Sequence, residues 1–399
     1  MATISHLETG IALLGEAPKI TFLLHAFDEV DKGRWDRLFR ESETCNLFYD
    51  YTVVQSAQLT WKKYQSLKVI CGYLDDKLIF LQPVLINSSQ LAKRIELLSL
   101  PTADANEPLV CPDHWENAVK GFLGFVSENL EPDIIVAKWV SNRLYDVLTS
   151  HFGSAIIVVK QLRRRPVLHL PSSLEEYWDS FQSKARNQLK RKIKKAQIAG
   201  FEFRVVQSGE EILAHDQGSA LDNLTRLHQM RFDSINRDSF FVKADFQGFH
   251  RSLCKNLHSA PVFFIFLEAV QKDKVVGSIY GMMNDQVYIY LMIGFNPDYA
   301  SYSIGNLLIY YTIQNLIANR IKLFDFKYGK ESYKRWWTKD YNEAYDLSIC
   351  LNKKGRLLDA ASDLLKFTKR IEKLARNPAR IPEKIVEIFK AKTNALRRR

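Results

Sequence analysis

The chain has 399 residues, enough for two domains of ordinary size, and its 46% hydrophobic and 25% charged residues are the balance of a globular protein. No apolar run reaches the roughly 18–20 residues of a membrane-spanning helix, and no Lys or Arg precedes Lys19 whereas Glu8 and Glu16 do, which makes a poor signal peptide. The net charge of +11 is local: residues 353–399 hold 15 Lys and Arg against 5 Asp and Glu, and residues 184–195 hold seven bases and no acid.

Five cysteines, Cys45, Cys71, Cys111, Cys254 and Cys350, are scattered without metal spacing or a disulfide framework. The expectation is reduced thiols in the cytoplasm. The histidines show no His-x-x-x-His pairing, so no metal is expected. His228 and His250 read as packing or surface residues.

In chain order, the start to Pro18 carries little pattern. Ile20 to His25 reads as a strand, and Trp35 to Glu41 and Tyr51 to Tyr64 as short helices. Leu67 to Tyr73 and Lys77 to Ile86 form a strand pair around Leu74-Asp75-Asp76, followed by a strand at Ile95 to Leu100 and a polar loop from Pro101 to Pro112. A helix at His114 to Asn129 leads to strand, helix, strand at Asp133 to Trp139, Asn142 to Ser150 and Ala155 to Gln161. Arg163-Arg164-Arg165-Pro166 reads as a boundary, with a short strand at Val167 to Leu170 beyond it and a helical stretch from Leu174.

Ser183 to Gly200 is the clearest helix: Ala185, Leu189, Ile193 and Ala196 share a narrow face, and the seven bases cover the rest. A strand at Phe201 to Val206, helices over Glu210 to Arg231 and Phe246 to Leu257, and a strand at Val262 to Gln271 come next. Then two apolar strands, Lys274 to Met283 and Val287 to Phe295, precede a turn, a helix from Ser303 to about Asn319 and a strand at Lys322 to Lys327. That order suggests a crossover returning a parallel strand to one sheet. Ser303 is placed to cap the helix, Gly305 leaves room beside its first turn, and the free amides there suit an anion. After Gly355, Leu357, Leu358, Ala361, Leu364, Leu365, Thr368, Ile371 and Ala375 recur at helical intervals, and Ile385 to Leu396 reads as a second helix. Docking of the first stripe on the body is expected.

Three stretches carry a family resemblance. Lys184-Ala-Arg-Asn-Gln-Leu-Lys-Arg-Lys192 resembles the basic helix opening the acyltransferase domain of cellulose-biosynthesis-type (CelD-like) acetyltransferases, a branch of the GNAT superfamily. Tyr302-Ser303-Ile304-Gly305-Asn306-Leu307-Leu308 resembles that family's Ser-Pro-Gly-x-Leu-Leu helix start, with Ile304 in place of proline. Phe324-Asp325-Phe326-Lys327-Tyr328-Gly329-Lys330-Glu331-Ser332-Tyr333-Lys334 resembles its Phe-Asp-Phe-Gly-Arg-Gly-x-Glu-x-Tyr-Lys, with Lys327 and Tyr328 replacing Gly-Arg. The resemblance implies an α/β (α+β) protein of tandem GNAT-like domains, each a mixed sheet flanked by helices: residues 1–165, a donor-binding domain at 166–352, and a basic helical tail at 353–399. It implies acyl-CoA, such as acetyl-CoA, as donor, a small-molecule or glycan acceptor with an amine or hydroxyl, and a role in polysaccharide or cell-envelope metabolism.

Acyl transfer needs a base near the acceptor and an acid for the departing thiolate. Asp325, mid-strand between phenylalanines, is either a buried base or a carboxylate holding backbone amides of the next loop. Glu331 is the second carboxylate candidate, Tyr333 the candidate acid, and Lys334 a binder of phosphate or an acidic acceptor. Ser303, Ile304, Gly305 and Asn306 would cradle the donor's pyrophosphate. Arg186, Arg191 and Lys195 could bind its phosphates, an anionic acceptor or RNA. The rival readings are an aminoacyl-tRNA-dependent transferase of Fem type and a non-catalytic adaptor. The tail suits an anionic membrane surface or a membrane-bound synthase, which would place the protein at the inner face of the membrane.

Overall fold

The computed structural model describes residues 19–375 apart from 44–45, 90–91, 102, 154, 208–211, 213–218, 257–260 and 330. The start to Pro18, the helical stretch through 213–218 and the second tail helix, Ile385 to Leu396, lie outside the described residues, as do the side chains of Ile371 and Ala375.

The first half runs β1 (Thr21–Ala26), α1 (Lys32–Glu41), α2 (Tyr51–Thr60), β2 (Leu67–Leu74), β3 (Lys77–Ser88), β4 (Lys93–Leu97), β5 (Leu109–Val110), α3 (Trp115–Phe125), β6 (Ile134–Ser141) and α4 (Asn142–His151). The helix starts are capped by short polar side chains: Asp31 accepts from Arg34 N, Asp50 from Thr52 N and Val53 N, and Ser141 from Leu144 N. Antiparallel β1 to β4 end on a parallel pair, β4 with β6, registered over Arg94–Glu96 and Ile134–Val136.

The second half runs β7 (Ile156–His169), α5 (Leu174–Asp179), α6 (Ser183–Ile198), β8 (Phe201–Val206), α7 (Ala220–Asp233), α8 (Ala244–Asn256), β9 (Phe263–Gln271), β10 (Lys274–Met283), β11 (Val287–Phe295), α9 (Ile304–Ala318), β12 (Leu323–Asp325), α10 (Lys334–Trp337), β13 (Tyr341–Cys350) and α11 (Lys353–Ala375). It repeats the plan: antiparallel β8 to β11, then a parallel pair, β11 with β12, with α9 between them in the chain. Among the described residues thirteen strands make one sheet in the order β1-β2-β3-β4-β6-β13-β7-β12-β11-β10-β9-β8, with β5 on β3.

Two features of this order depart from the sequence expectation. The Arg163–Pro166 run lies inside the 14-residue strand β7. That strand changes partner there: residues up to Pro166 pair with β13, and Val167–His169 pair with β12. Pro166 fits at the switch because a missing N–H is tolerated where a ladder ends. The second is β13, which returns from the second half to lie between β6 and β7.

The arginines of the run stitch the halves together. Arg163 pairs with Asp346 at 2.6 Å, and its guanidinium lies 4.1 Å from the Trp139 ring and 4.9 Å from that of Tyr328. Arg164 pairs with Glu343 and stacks on Tyr341. Arg165 reaches Asp325 at 3.3 Å and donates to the Asp104 carbonyl.

α9 is apolar nearly all round and accordingly buried, with Leu307, Leu308, Ile313 and Leu316 fully enclosed. β11 is covered on both faces in the same way. On one face α7 comes so close that a Cβ on Gly294 would strike the backbone at Leu227 and His228. His228 and His250 are both buried packing residues, the first bonded to Ser239 Oγ at 2.7 Å and the second to the Tyr280 hydroxyl at 3.0 Å.

α11 corrects the docking expectation. Only one side of its base meets the body: Leu358 packs on Ile134, Val136 and Cys350, and Gly355 sits against the Asp133 carbonyl with no room for a Cβ. Leu357, Leu364 and Leu365 of the predicted stripe are exposed. The hydrophobic face is turned outward because the inward side is taken by Asp359 and Asp363, paired with Lys160 at 2.5 and 2.6 Å.

Candidate functional site

The parallel pairing of β11 and β12 lasts three residues, from Val287–Leu323 to Ile289–Asp325. Beyond it β11 runs on to Phe295 while β12 stops. The strands therefore part, and the backbone polar groups of Tyr290 to Phe295 on that side need other partners. Arg231 on α7 supplies one, donating to the Ile293 carbonyl at 3.2 Å, with its guanidinium 5.1 Å from the Phe295 ring.

A cavity of about 290 Å³ opens at this parting, lined by Arg231, Ile293, Phe295, Ala300, Ser303, Ile304, Gly305, Asn306, Ile309 and Tyr333. The first turn of α9 forms one wall. Ser303 does not cap it as expected: it adopts the left-handed conformation at φ 58°, makes no side-chain cap bond, and instead accepts from Asn306 N and Leu307 N through its carbonyl. Gly305 faces the cavity with Phe295 Cε1 3.2 Å from where a Cβ would lie, so a side chain there would have to occupy the opening. The Tyr333 hydroxyl donates to the Tyr290 hydroxyl at 3.3 Å. Burial, and next the neighbouring Tyr290, raise its pKa well above the phenol value, so it is held protonated.

A second cavity, of about 660 Å³, lies on the seam where β7 meets the segment after β12. Glu331, Lys334, Arg164, Arg335, Tyr328 and Tyr341 are among its lining residues. Lys334 is nearly buried; its ammonium pairs with Glu331 at 3.1 Å and donates to the Lys327 carbonyl at 3.2 Å. Burial pulls the Lys334 pKa down, and Glu331 opposes that shift.

Asp325 lines neither cavity. It is buried, accepts from Lys327 N at 2.7 Å and pairs with Arg165. Of the two readings its position allowed, this geometry is the one that holds the next loop. That loop needs holding: Lys327 sits at φ 58°, where glycine is favoured, at the position where the resembling motif has glycine. Asp104 of the first half adds a second tether, accepting from Tyr328 N at 2.7 Å.

The bases of α6 fall elsewhere. Arg186 pairs with Asp179 and lines an open groove with Trp178, Lys190, Lys194 and Tyr310. Arg191 is exposed and lines none of these three cavities. Lys195 donates to the Ser301 carbonyl at 3.0 Å, in the turn just before α9. The structure thus gathers Ser303, Ile304, Gly305, Asn306 and Tyr333 at one cavity, sets Glu331 and Lys334 at the other, and leaves Arg186 and Arg191 apart. Sequence reading missed Arg231, which no local motif marks, because only the packing of α7 on β11 brings it to the parting.

Residues 183–335 match the family model described as Acetyltransferase (GNAT) domain. No curated protein sequence matches the chain. Among solved structures the fold is similar to that of FemX, with a TM-score of 0.58 and 8% identity over 85% of this chain and 99% of that one. A conserved protein from Bacteroides thetaiotaomicron gives a TM-score of 0.53 at 9% identity, over 83% and 100% of the two chains. The C-terminal domain of a candidate lysylphosphatidylglycerol synthetase from Agrobacterium fabrum gives 0.51 at 12% identity, over 86% and 96%. The chain is thus similar to GNAT acetyltransferases in sequence over residues 183–335 and shares a mixed α/β architecture with these solved structures over most of its length.

Proposed function

We propose that the protein is an acyltransferase that moves an acyl group, such as acetyl, from acyl-CoA to an amine or hydroxyl acceptor. The observation that carries this reading is the cavity at the β11–β12 parting, where a helix N-terminus, an arginine and a protonated tyrosine meet. The first-turn amides of α9 at Ile304 and Gly305, with Ser303 and Asn306 beside them on the cavity wall, would hold the donor's pyrophosphate. Arg231 adds a positive charge to the same cavity. The donor supplies an acyl thioester, and transfer breaks its C–S bond and leaves a thiolate.

Tyr333 is the residue we assign to give that thiolate its proton. The acceptor would enter by the seam cavity, whose Arg164, Lys334 and Arg335 suit an anionic group. Glu331, half exposed there, is the candidate to take the proton from the attacking amine or hydroxyl. Asp325 we assign as a positioning residue, acting through Arg165 and the Lys327 turn. The CelD-like resemblance supports a carbohydrate acceptor in polysaccharide or cell-envelope metabolism.

Calorimetric titration of the purified protein with CoA and acetyl-CoA tests the donor site. Binding is expected for the wild type and lost in Gly305→Trp, whose side chain fills the cavity. A wild type that binds neither compound, though folded, overturns the reading. A second reading, an aminoacyl-tRNA-dependent transferase of Fem type, rests on the exposed bases of α6, Lys184, Lys190, Arg191, Lys194 and Lys195. It requires tRNA binding that weakens steeply with salt, and fails if none is measured.

A further inference from the structure

We propose that α11 lays its outward face on a bilayer surface that contains anionic lipid. This surface is separate from both cavities and does not depend on the reaction assigned to them. Leu357 is 72% exposed, Leu364 63%, Leu365 61% and Phe367 59%. Leu357, Leu364 and Phe367 are seven and three residues apart and so share one helical face, whereas Leu365, seven residues after Leu358, lies on the flank toward the docked side. The opposite face is the docked one, through Gly355, Leu358 and Asp359. A soluble helix places its apolar stripe inward; here Leu357, Leu364 and Phe367 point away from a body that holds the helix through Leu358 and two aspartates.

Charge selects the occupant. Residues 353–399 carry 15 bases against 5 acids. Two of those acids, Asp359 and Asp363, are turned to Lys160 on the body side. Lys353, Lys354 and Arg356 are exposed around the leucines at the start of the helix. Exposed Leu and Phe flanked by Lys and Arg is the pattern of a helix lying in a bilayer interface, with the rings and leucines among acyl chains and the bases at anionic headgroups. A second copy would set one such basic segment against another, and a nucleic acid offers the leucines nothing apolar. No described helix is long and apolar enough to cross a membrane, so the contact is one of lying on the surface.

Co-sedimentation of the full-length protein with vesicles tests this, using phosphatidylcholine alone and phosphatidylcholine mixed with phosphatidylglycerol. The wild type should bind the mixed vesicles about tenfold or more better than the neutral ones, with the advantage reduced by salt. Leu364→Glu/Phe367→Glu should lose that binding while keeping the wild-type melting temperature, since neither side chain is packed. No preference for mixed vesicles, or a folded double variant that binds as the wild type does, overturns the proposal. So does a wild type that sediments as a dimer in the absence of lipid and becomes a monomer in the double variant, because the face is then covered by a second copy.

Discussion

Tyr333 and Glu331 lie two residues apart yet open onto different cavities, so their removal should have different signatures. Tyr333→Phe keeps the ring that lines the donor cavity and deletes the proton. On the proposed reaction, kcat should fall about 100-fold while CoA affinity, measured by calorimetry, stays within about a factor of two. His250 gives a test that needs no substrate. Burial pulls its pKa down to about 3, so between that value and the unfolded value near 6.5 the unfolded chain binds the proton and the folded one does not. Its contribution is whole above about pH 6.5 and drains as the pH falls. Glu107 and Asp50, raised by burial to about 7 and about 6, act in the opposite sense over part of this range, so a difference measurement is needed. Relative to His250→Phe, the wild type should lose about 1.5 kcal/mol of urea-measured stability between pH 6.5 and pH 5. The residue scale is also where the sequence was most ambiguous. The Phe-Asp-Phe pattern marked Asp325 as buried, but nothing in it could say that Arg165, far off in the chain, would take the carboxylate.

The strands and helices of the second half were largely legible, because β10, β11 and α9 are long, apolar and bounded by clear turns. β7 was read as two short strands split by Arg-Arg-Arg-Pro. Composition there reports side chains that bind across the seam, whereas strand continuity is set by partners on both sides, which a local reading does not contain. The docking of α11 was misread for a related reason: periodicity shows that a stripe exists and not which way it faces. The contact of α7 with β11 is another element-level fact, and it carries a prediction. Gly294→Val must push α7 off the strand because backbone atoms block the new side chain, so it should cost about 1–3 kcal/mol in urea denaturation. It should also weaken CoA binding on the proposed reading, since Arg231 rides on the displaced helix.

Across the whole molecule, β7 belongs to both ladders and β13 closes the first half-sheet from the far end of the second. α2 and α8 meet as well, through Ser56 and Ser252 at 3.1 Å and through Trp61, whose indole donates to Asp245 at 3.0 Å. One apolar cluster joins Val54, Ala57 and Trp61 of the first half to Phe249, Leu253 and Phe264 of the second. The expected division after residue 165 falls inside β7, so residues 1–165 alone would lack the strand that separates β6 from β7. Calorimetry of the full chain should show a single cooperative transition, and residues 1–165 expressed alone should show none.

The residues that follow β12 serve both cavities: Tyr328, Gly329, Glu331 and Lys334 line the seam cavity and Tyr333 the one beside α9. Asp104 and Asp325 anchor the start of this stretch, at Tyr328 N and Lys327 N. A ligand that settles in one cavity therefore bears on residues adjacent in the chain to those that line the other. Such linkage is reciprocal: whatever factor bound CoA applies to acceptor affinity, the acceptor must apply to CoA. On the proposed reaction, calorimetry should find CoA affinity changed by a bound acceptor by the same factor as acceptor affinity is changed by bound CoA.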